Sequence, residues 1–269
     1  MNYAPTSLKE ALILRENPEL IPYVGGTDLM VEAAPDVKYL FLRKVSEMRS
    51  IVKDDNYIRF GAACTFTEII EHELTPEILR EACKQIGAPA IQNAGSPGGN
   101  IANGSAKADS ALIFMVSDSM LRLANSKQER IIPIKEFYLG GGKLALAPDE
   151  LIIEILMPKS GPENYYYEKV GARKSLSIAR VSFAGLFDVK DGIIKNCAVA
   201  FGAVIDVIIR LNELDKMMIG KTVEEARKTK NEYLAAYAAA IVPRRGRVGV
   251  EYRKDVCMNL LNDFLEKNL

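Results

Sequence analysis

The stretch NAGSPGGNIANGSAKADS, Asn93–Ser110, guides the interpretation of the whole chain. Four glycines, at positions 95, 98, 99 and 104, stand among small polar residues, and no aromatic residue interrupts the run. Glycine allows a backbone to approach a ligand closely because it has no Cβ atom. Such a composition is poor material for a hydrophobic core. We therefore expect a loop whose backbone is itself a binding surface.

The first glycine loop in chain order, Gly25-Gly26-Thr27-Asp28, follows the apolar run Leu20–Val24, so that Asn93–Ser110 is the second glycine stretch. Amide groups at a helix start, together with the Thr27 hydroxyl, suit a pyrophosphate. Asp109, at the far end of the second stretch, can accept a hydrogen bond from a ribose hydroxyl or cap a helix. Together these features indicate a dinucleotide, although GGTD alone is more typical of a simple turn, and neither GxGxxG nor GxxxxGK[ST] occurs.

The composition excludes several other classes. The 269 residues carry 35 basic and 35 acidic side chains, so no overall field favours nucleic acid or an anionic membrane. No secretory signal and no apolar run long enough for a membrane span are visible. Four scattered cysteines without a CxxC pair predict free buried thiols in a reducing cytoplasm. The single histidine, His72, argues against Ser-His-Asp and multi-histidine metal sites, and we expect no metal in this chain.

The pattern of predicted elements changes along the chain. Residues 1–160 alternate between short helices and strands, with lobes of about 1–54 and 55–160 and a linker at Gly161-Pro162-Glu163-Asn164. In residues 161–269, an antiparallel hairpin is predicted over 180–204 around the turn Lys190-Asp191-Gly192, followed by helices. Capping boxes are predicted at 65–68 and 222–225.

Two further clusters have less specific interpretations. Gly140-Gly141-Gly142 lacks a strand-then-helix setting and predicts a flexible turn. A basic cluster near the end of the chain is expected to be a solvated loop or a subunit contact, and it consists of Arg244, Arg245, Arg247, Arg253 and Lys254.

Taken together, five stretches resemble, in order along the chain, the FAD-binding or medium subunits of the molybdenum hydroxylases. This family includes xanthine dehydrogenase, carbon monoxide dehydrogenase and nicotinate dehydrogenase. The matching stretches are Val24–Leu29 (an AGGTDL-like motif), Ser96–Asp109 (TIGGNIANASPAAD), Glu150–Pro158 (a strand ending in IP), Tyr167 to Ala179 (YxKxxxRxxxDIA) and Glu251 to Leu261 (EYRxxxxxxLL).

The resemblance implies an α+β fold. Two α/β lobes would hold FAD between them, as in vanillyl-alcohol-oxidase-like flavoproteins, and a C-terminal domain of antiparallel sheet and helices would follow. Backbone amides of both glycine loops would hold the pyrophosphate, Asp109 the nucleotide portion, and Ile153, Lys169 and Ile178 would lie near the flavin ring. The implied contacts are Tyr23, Val24, Gly25, Gly26, Thr27, Asp28, Leu29, Ser96, Gly98, Gly99, Asn100, Asp109, Ile153, Lys169 and Ile178.

Several positions depart from the family pattern, and two of them bear most directly on FAD binding. Pro97 replaces the usual Ile or Val and so removes an amide donor, and Ser177 stands where the family often has Asp. The remaining amides and glycines are still compatible with FAD binding.

The implied function is electron transfer. FAD would pass electrons from [2Fe–2S] clusters on a small partner subunit to NAD⁺ or another acceptor, while a molybdopterin-bearing large subunit oxidises the substrate, for which a purine such as xanthine is the best guess. No catalytic acid or base is expected in this chain. The alternatives are a non-catalytic assembly protein that kept the fold, and a free-standing FAD oxidoreductase akin to the cell-wall reductase that uses enolpyruvyl sugar nucleotides.

Overall fold

A computed structural model describes residues 1–31, 36–159, 161, 164–173, 176–244 and 248–269. Its internal contacts divide the chain into two compact units. The first comprises residues 1–105 and 118–160, and the second comprises residues 106–117 and 161–269. Four residues discussed above lie outside the described part of the chain, namely Pro162, Glu163, Arg245 and Arg247.

The first unit combines short helices with three small sheets. Its elements are α1 (Leu8–Leu14), β1 (Leu20–Tyr23), β2 (Lys38–Phe41), β3 (Ile51–Lys53), β4 (Tyr57–Gly61), α2 (Phe66–Glu71), α3 (Glu77–Lys84), α4 (Pro89–Gln92), α5 (Pro97–Ala102), β5 (Met120–Ala124), β6 (Glu129–Pro133), α7 (Ile134–Phe137), β7 (Tyr138–Gly140), β8 (Lys143–Leu144) and β9 (Leu151–Pro158).

Strands β1 and β2 form a parallel pair at the N-terminal end of this unit, with Leu20 opposite Lys38 and Tyr23 opposite Phe41. Leu20 and Leu40 are buried on one face of the pair. On the other face the rings of Tyr23, Tyr39 and Phe41 contact one another. The chain therefore leaves β1 at Tyr23 and enters the first glycine loop from a fixed strand end.

A five-stranded antiparallel sheet, in the order β3-β4-β9-β5-β6, forms the larger part of the first unit. Residues 151–157 of the central strand β9 are all buried. Its one buried carboxylate, Glu154, accepts hydrogen bonds from Arg59 and Arg122 on the neighbouring strands. Helix α2 begins with the predicted capping box, because Thr65 and Glu68 satisfy each other's backbone N–H groups.

The second unit is built on a four-stranded antiparallel sheet in the order β10-β11-β12-β13. Its elements are α6 (Asp109–Val116), β10 (Asn164–Val170), β11 (Val181–Lys190), β12 (Ile193–Gly202), β13 (Ile209–Arg210), α8 (Asn212–Asp215), α9 (Val223–Ala240) and α10 (Val250–Asn268). The predicted hairpin is confirmed as β11 and β12. Its tip residues Asp191 and Gly192 both have positive φ, 54° and 74°, as a type I′ turn requires.

The core of this unit joins the sheet to the two long helices. Phe183 and Phe201 on the sheet pack with Phe264 of α10 and Tyr237 of α9, and all four side chains are fully buried. Helix α9 starts with the second predicted capping box, formed by Thr222 and Glu225. Aromatic side chains of the sheet and of the two helices, which are distant in the sequence, thus belong to one hydrophobic core.

Helix α6 belongs to this second unit, although it precedes the predicted boundary near residue 160. All eight of its residues are buried, so it has no polar face to turn toward solvent. Just before it, the Ala106 carbonyl accepts a hydrogen bond of 2.7 Å from the amide of Ala203, which follows β12. The helix is therefore part of the core around β11 and β12, a contact that no local pattern reveals.

The structure corrects the expectation for Arg253. This side chain is buried in α10 and its Nη1 donates to the carbonyl groups of Ala203 and Val204, so it is not part of a solvated basic loop. The predicted free, buried state of the four cysteines is confirmed. Within the described residues, no helix is long and apolar enough to cross a membrane. The α+β class, with a C-terminal domain of antiparallel sheet and helices, is confirmed.

Candidate functional site

The first glycine loop presents a run of open amide groups. None of the backbone N–H groups from Val24 to Leu29 donates a hydrogen bond to another described residue. The loop is closed by the amide of Met30, which donates to the Gly26 carbonyl at 2.9 Å, and by that of Val31, which donates to the Asp28 carbonyl at 3.0 Å. Six consecutive N–H groups that have no partner among the described residues can together act as a cradle for an anion.

Only glycine fits the centre of this loop. A Cβ atom on Gly25 would lie 1.8 Å from the Ala94 carbonyl oxygen, and one on Gly26 would lie 2.3 Å from the ring of Tyr23. Gly26 also has a φ of +65°, which glycine adopts without strain. The backbone at Gly25 is thus in direct contact with the segment that leads into the second glycine stretch.

That second stretch is in part a helix, which corrects the expectation of a loop. The Ser96 hydroxyl caps α5, and Pro97 occupies its first position, where a missing N–H costs no helical hydrogen bond. Pro97 is therefore accommodated by the fold. Positions 95–98 are buried, so small residues serve close packing here, and the expectation that they make poor core material was wrong.

The amides of this stretch are already engaged within the chain. The N–H of Gly98 donates to the Ala62 carbonyl at 3.0 Å, and that of Asn100 donates to the Ser96 carbonyl at 2.9 Å. The N–H of Gly99 donates to the Ser96 hydroxyl at 3.2 Å. A Cβ on Gly98 would lie 2.7 Å from Ala62. The open donors of the candidate site consequently lie in the first loop, which contacts the segment just before α5 through Gly25 and Ala94.

A side-chain hydrogen bond joins the two motifs directly. Asn103, the C-cap residue of α5, donates from Nδ2 to Oδ2 of Asp28 across 2.6 Å. Sequence reasoning did not single out Asn103, because a surface asparagine at a helix end carries no local signal beyond its position inside the matched motif. The structure thus brings the first loop and the second stretch together.

The other predicted contacts are divided between the two units. Ile153 lies on β9 of the first unit and is 2% exposed, whereas Asp109, Lys169 and Ile178 belong to the second unit. Ile178 is 69% exposed. Ser177 donates from its hydroxyl to the Arg173 carbonyl at 3.1 Å, a bond within the same loop.

Asp109 and Lys169 form a buried ion pair. Lys169 Nζ lies 2.6 Å from Asp109 Oδ2, and the two side chains are only 7% and 9% exposed. Burial raises the pKa of Asp109, and the neighbouring ammonium of Lys169 opposes that rise. Asp109 is the first residue of α6 and Ala108 is its N-cap, so the N-cap role for Asp109 was wrong.

The donor set in the first loop fits the diphosphate of a dinucleotide. Backbone N–H groups neutralise no charge outright, but six of them in one short loop can donate to several phosphate oxygens. The close contacts of Gly25 with Ala94 and of Gly26 with Tyr23 leave no space for a side chain at either position. The residues present therefore fit FAD bound through its diphosphate.

Comparisons with known proteins identify relatives of the chain and structures with a similar fold. The chain is 28% identical over 214 residues to the xanthine dehydrogenase FAD-binding subunit of Escherichia coli O157:H7, which covers 76% of this chain and 73% of that protein. It is 28% identical over 235 residues to the nicotinate dehydrogenase FAD-subunit of Eubacterium barkeri, which covers 81% and 79%. Its fold is similar to a chain of reconstituted CO dehydrogenase from Oligotropha carboxidovorans, with a TM-score of 0.89, 24% identity and coverage of 98% and 96%.

Family matches account for nearly the whole chain. Residues 165–268 match the CO dehydrogenase flavoprotein C-terminal domain. Residues 2–160, more than half of the chain, match the FAD binding domain in molybdopterin dehydrogenase. The chain therefore belongs to the FAD-binding subunits of the molybdenum hydroxylase family, of the xanthine, nicotinate and CO dehydrogenase type.

Proposed function

We propose that this protein is the electron-transfer subunit of a molybdenum-containing hydroxylase or dehydrogenase complex, active only in that complex. The bound FAD supplies the redox chemistry, and the chain supplies its binding and its environment. The observation that carries the proposal is the run of six amides from Val24 to Leu29 that donate to no other residue in the described part of the chain, in a loop whose glycines admit no side chain.

We propose that the molybdenum cofactor and the [2Fe–2S] clusters reside on a large and a small partner subunit. The cysteines of this chain support that division of labour. An iron–sulfur cluster needs several cysteines close together, but the four cysteines are scattered without a CxxC pair, and the described residues contain no group of three His, Cys, Asp or Glu side chains that could hold a metal ion. The relative from Escherichia coli is likewise described as one subunit of a larger enzyme.

The finer parts of the proposal concern the reaction of the complex. We propose oxidation at a CH or CH₂ group of the substrate by the molybdenum subunit, with NAD⁺ or another acceptor receiving electrons from this subunit. The names of the xanthine and nicotinate dehydrogenase relatives favour a heterocycle, such as a purine, as the substrate. The contacts expected from Ser96, Gly98, Gly99, Asn100, Asp109, Ile153, Lys169 and Ile178 stay predictions.

The test begins with the purified chain and added FAD. We expect saturable quenching of flavin fluorescence with a stoichiometry near one FAD per chain, and a visible flavin spectrum after gel filtration. Co-purification of the tagged chain from its native cells should then recover a molybdopterin protein and an iron–sulfur protein. A chain that takes up no FAD, alone or in its native complex, would contradict the proposal and favour an assembly protein. A flavoprotein that purifies without partners and oxidises NADH or NADPH by itself would favour a free-standing oxidoreductase.

A further inference from the structure

We infer that the hydrogen bond between Asp28 and Asn103 is a latch that holds the amide cradle in its binding conformation, which makes Asn103 a positioning residue for the cofactor. The inference rests on the proposed binding of a diphosphate in the cradle. It adds a residue outside the predicted contacts and assigns Asp28 a role through its side chain rather than its backbone.

Among the described residues, few other contacts connect the cradle to the rest of the first unit. Six N–H groups in a row make no hydrogen bond to another described residue, so their directions are not fixed by secondary structure. At the start of the loop, Tyr23 ends β1, and its carbonyl accepts from the Leu42 amide at 2.8 Å. Gly25 then rests against Ala94. Beyond that contact, the side-chain bond from Asp28 is what joins the loop to α5.

The partner of the latch is itself well anchored. Asn103 ends α5, and its own N–H donates to the Gly99 carbonyl at 2.9 Å. The helix is fixed in turn by the Gly98 amide, which donates to the Ala62 carbonyl. A 2.6 Å bond to a carboxylate is a charge-assisted hydrogen bond, which is stronger than one between neutral groups. The latch therefore ties a loop whose backbone hydrogen bonds are internal to a helix that is anchored in the first unit.

The direction in which diphosphate affinity changes when Asp28 is replaced distinguishes the latch from the alternatives. Asp28 places a negative charge next to a cradle for an anion, so charge alone predicts that its removal tightens the binding of a diphosphate. A latch predicts the reverse, because the loop loses its tie and must be ordered when the ligand binds. A third possibility, direct contact between the Asp28 carboxylate and the cofactor, predicts that Asn103 can be changed without effect.

The experiment measures the dissociation constant for FAD by fluorescence quenching in full-length variants. We expect Asp28→Ala and Asn103→Ala each to weaken binding about fivefold to tenfold, the size of one typical hydrogen bond, because this bond is exposed to solvent. Asn103→Asp places two carboxylates together and should weaken binding further. The reciprocal double variant Asp28→Asn/Asn103→Asp again pairs an amide with a carboxylate, and its dissociation constant should return to within about threefold of the wild type.

The chain offers a matched control in Asn125 and Asp149. Nδ2 of Asn125 donates to Oδ2 of Asp149 at 3.0 Å, the same pair of groups outside both glycine motifs. Asp149→Ala should therefore leave FAD binding unchanged. Hydrogen exchange on the cofactor-free chain provides a second readout. Asn103→Ala should raise the exchange of the Met30 and Val31 amides, whose hydrogen bonds close the loop, and Asp149→Ala should not.

The outcomes separate the latch from the proposed function. Wild-type chain that binds no FAD would contradict the proposed function itself. If the wild type binds FAD, three results would overturn the latch and leave FAD binding intact. They are tighter binding by Asp28→Ala, unchanged binding by Asn103→Ala, and no recovery of binding in the double variant.

Discussion

The ammonium of Lys169 on β10 lies 2.6 Å from the carboxylate of Asp109 on α6, across 60 positions of sequence, and both side chains are buried. This pair attaches a helix that precedes residue 160 in the chain to the sheet of the second unit. Because the two charges are shielded from water, removal of one of them should lower the free energy of unfolding more than it would in a surface ion pair.

Changing one partner of this pair should therefore destabilise the protein strongly. Lys169→Met leaves the Asp109 carboxylate buried without its cation, and we expect a loss of about 3 to 5 kcal/mol in the free energy of unfolding. The double variant Asp109→Leu/Lys169→Met removes both charges and should recover most of that loss. Urea unfolding of the two variants checks this. Equal losses in the single and the double variant would contradict the argument that the unpaired Asp109 carboxylate causes the loss.

Helix α6 should exchange its amide protons together with the second unit. Phe264 and Phe60 are both fully buried, the first in the core of the second unit and the second on β4 of the first. Truncation of a buried phenylalanine costs about 3 to 5 kcal/mol, so each variant weakens the core around it. Native-state hydrogen exchange measures this. Phe264→Ala should accelerate exchange of the amide protons of residues 112–116, and Phe60→Ala should accelerate exchange of those of residues 121–123. If Phe60→Ala, and not Phe264→Ala, accelerates the amide exchange of residues 112–116, α6 unfolds together with the first unit and the prediction is wrong.

Two adjacent glycines of α5 should respond differently to alanine. A Cβ on Gly98 would lie 2.7 Å from Ala62, whereas a Cβ on Gly99 meets only the Ser96 hydroxyl at 3.1 Å. We expect Gly98→Ala to destabilise the chain by about 1 to 3 kcal/mol through overpacking. Gly99→Ala should change stability by less than about 1 kcal/mol, because helix propensity favours alanine. Thermal or urea unfolding distinguishes the two, and similar losses at both positions would contradict the packing argument.

The ion pair between Glu150 and Arg130 should contribute to acid sensitivity. Arg130 donates from Nε and Nη2 to the two oxygens of Glu150 at 2.7 and 2.8 Å, and these bonds lower the pKa of Glu150 despite its burial. A lowered pKa in the folded state means that the stabilisation is present above the ordinary value of 4.5 and is lost as the pH falls through the folded value.

The expected result is a stability difference that depends on pH. Wild type should exceed Glu150→Gln in unfolding free energy near neutral pH, and this difference should shrink as the pH falls below about 4.5. Urea unfolding at a series of pH values measures it, with Glu136→Gln at an exposed position as the control. A difference that stays constant down to pH 3 would contradict the assignment.

Local signals in the sequence predicted much of the fold correctly. The hairpin of β11 and β12 follows from Asp191-Gly192, because aspartate tolerates and glycine readily adopts the positive φ that a tight turn requires. The capping box at Thr65 and Glu68 follows equally from residues three positions apart. In these cases the physical cause lies within a few residues of the chain, so the pattern carries the answer.

The glycine stretch shows where such reasoning reaches its limit. Its small residues predicted an open loop, but Gly98 is small because Ala62 lies against it, and its amide is used by the Ala62 carbonyl. The sequence also did not mark Asn103, because its partner Asp28 is 75 positions away. Contacts of this kind depend on which segments the fold brings together.

The sequence by itself determined the family motifs, the local turns and helix starts, and the presence of a glycine-rich cradle, because these depend on the conformational freedom of individual residues. Only the tertiary structure decided that the open amides lie in residues 24–29, that α6 completes the second unit, and that Asp109 is paired with Lys169. The reason is that an amide becomes available, a helix becomes buried and a charge becomes paired through neighbours that are distant in the chain.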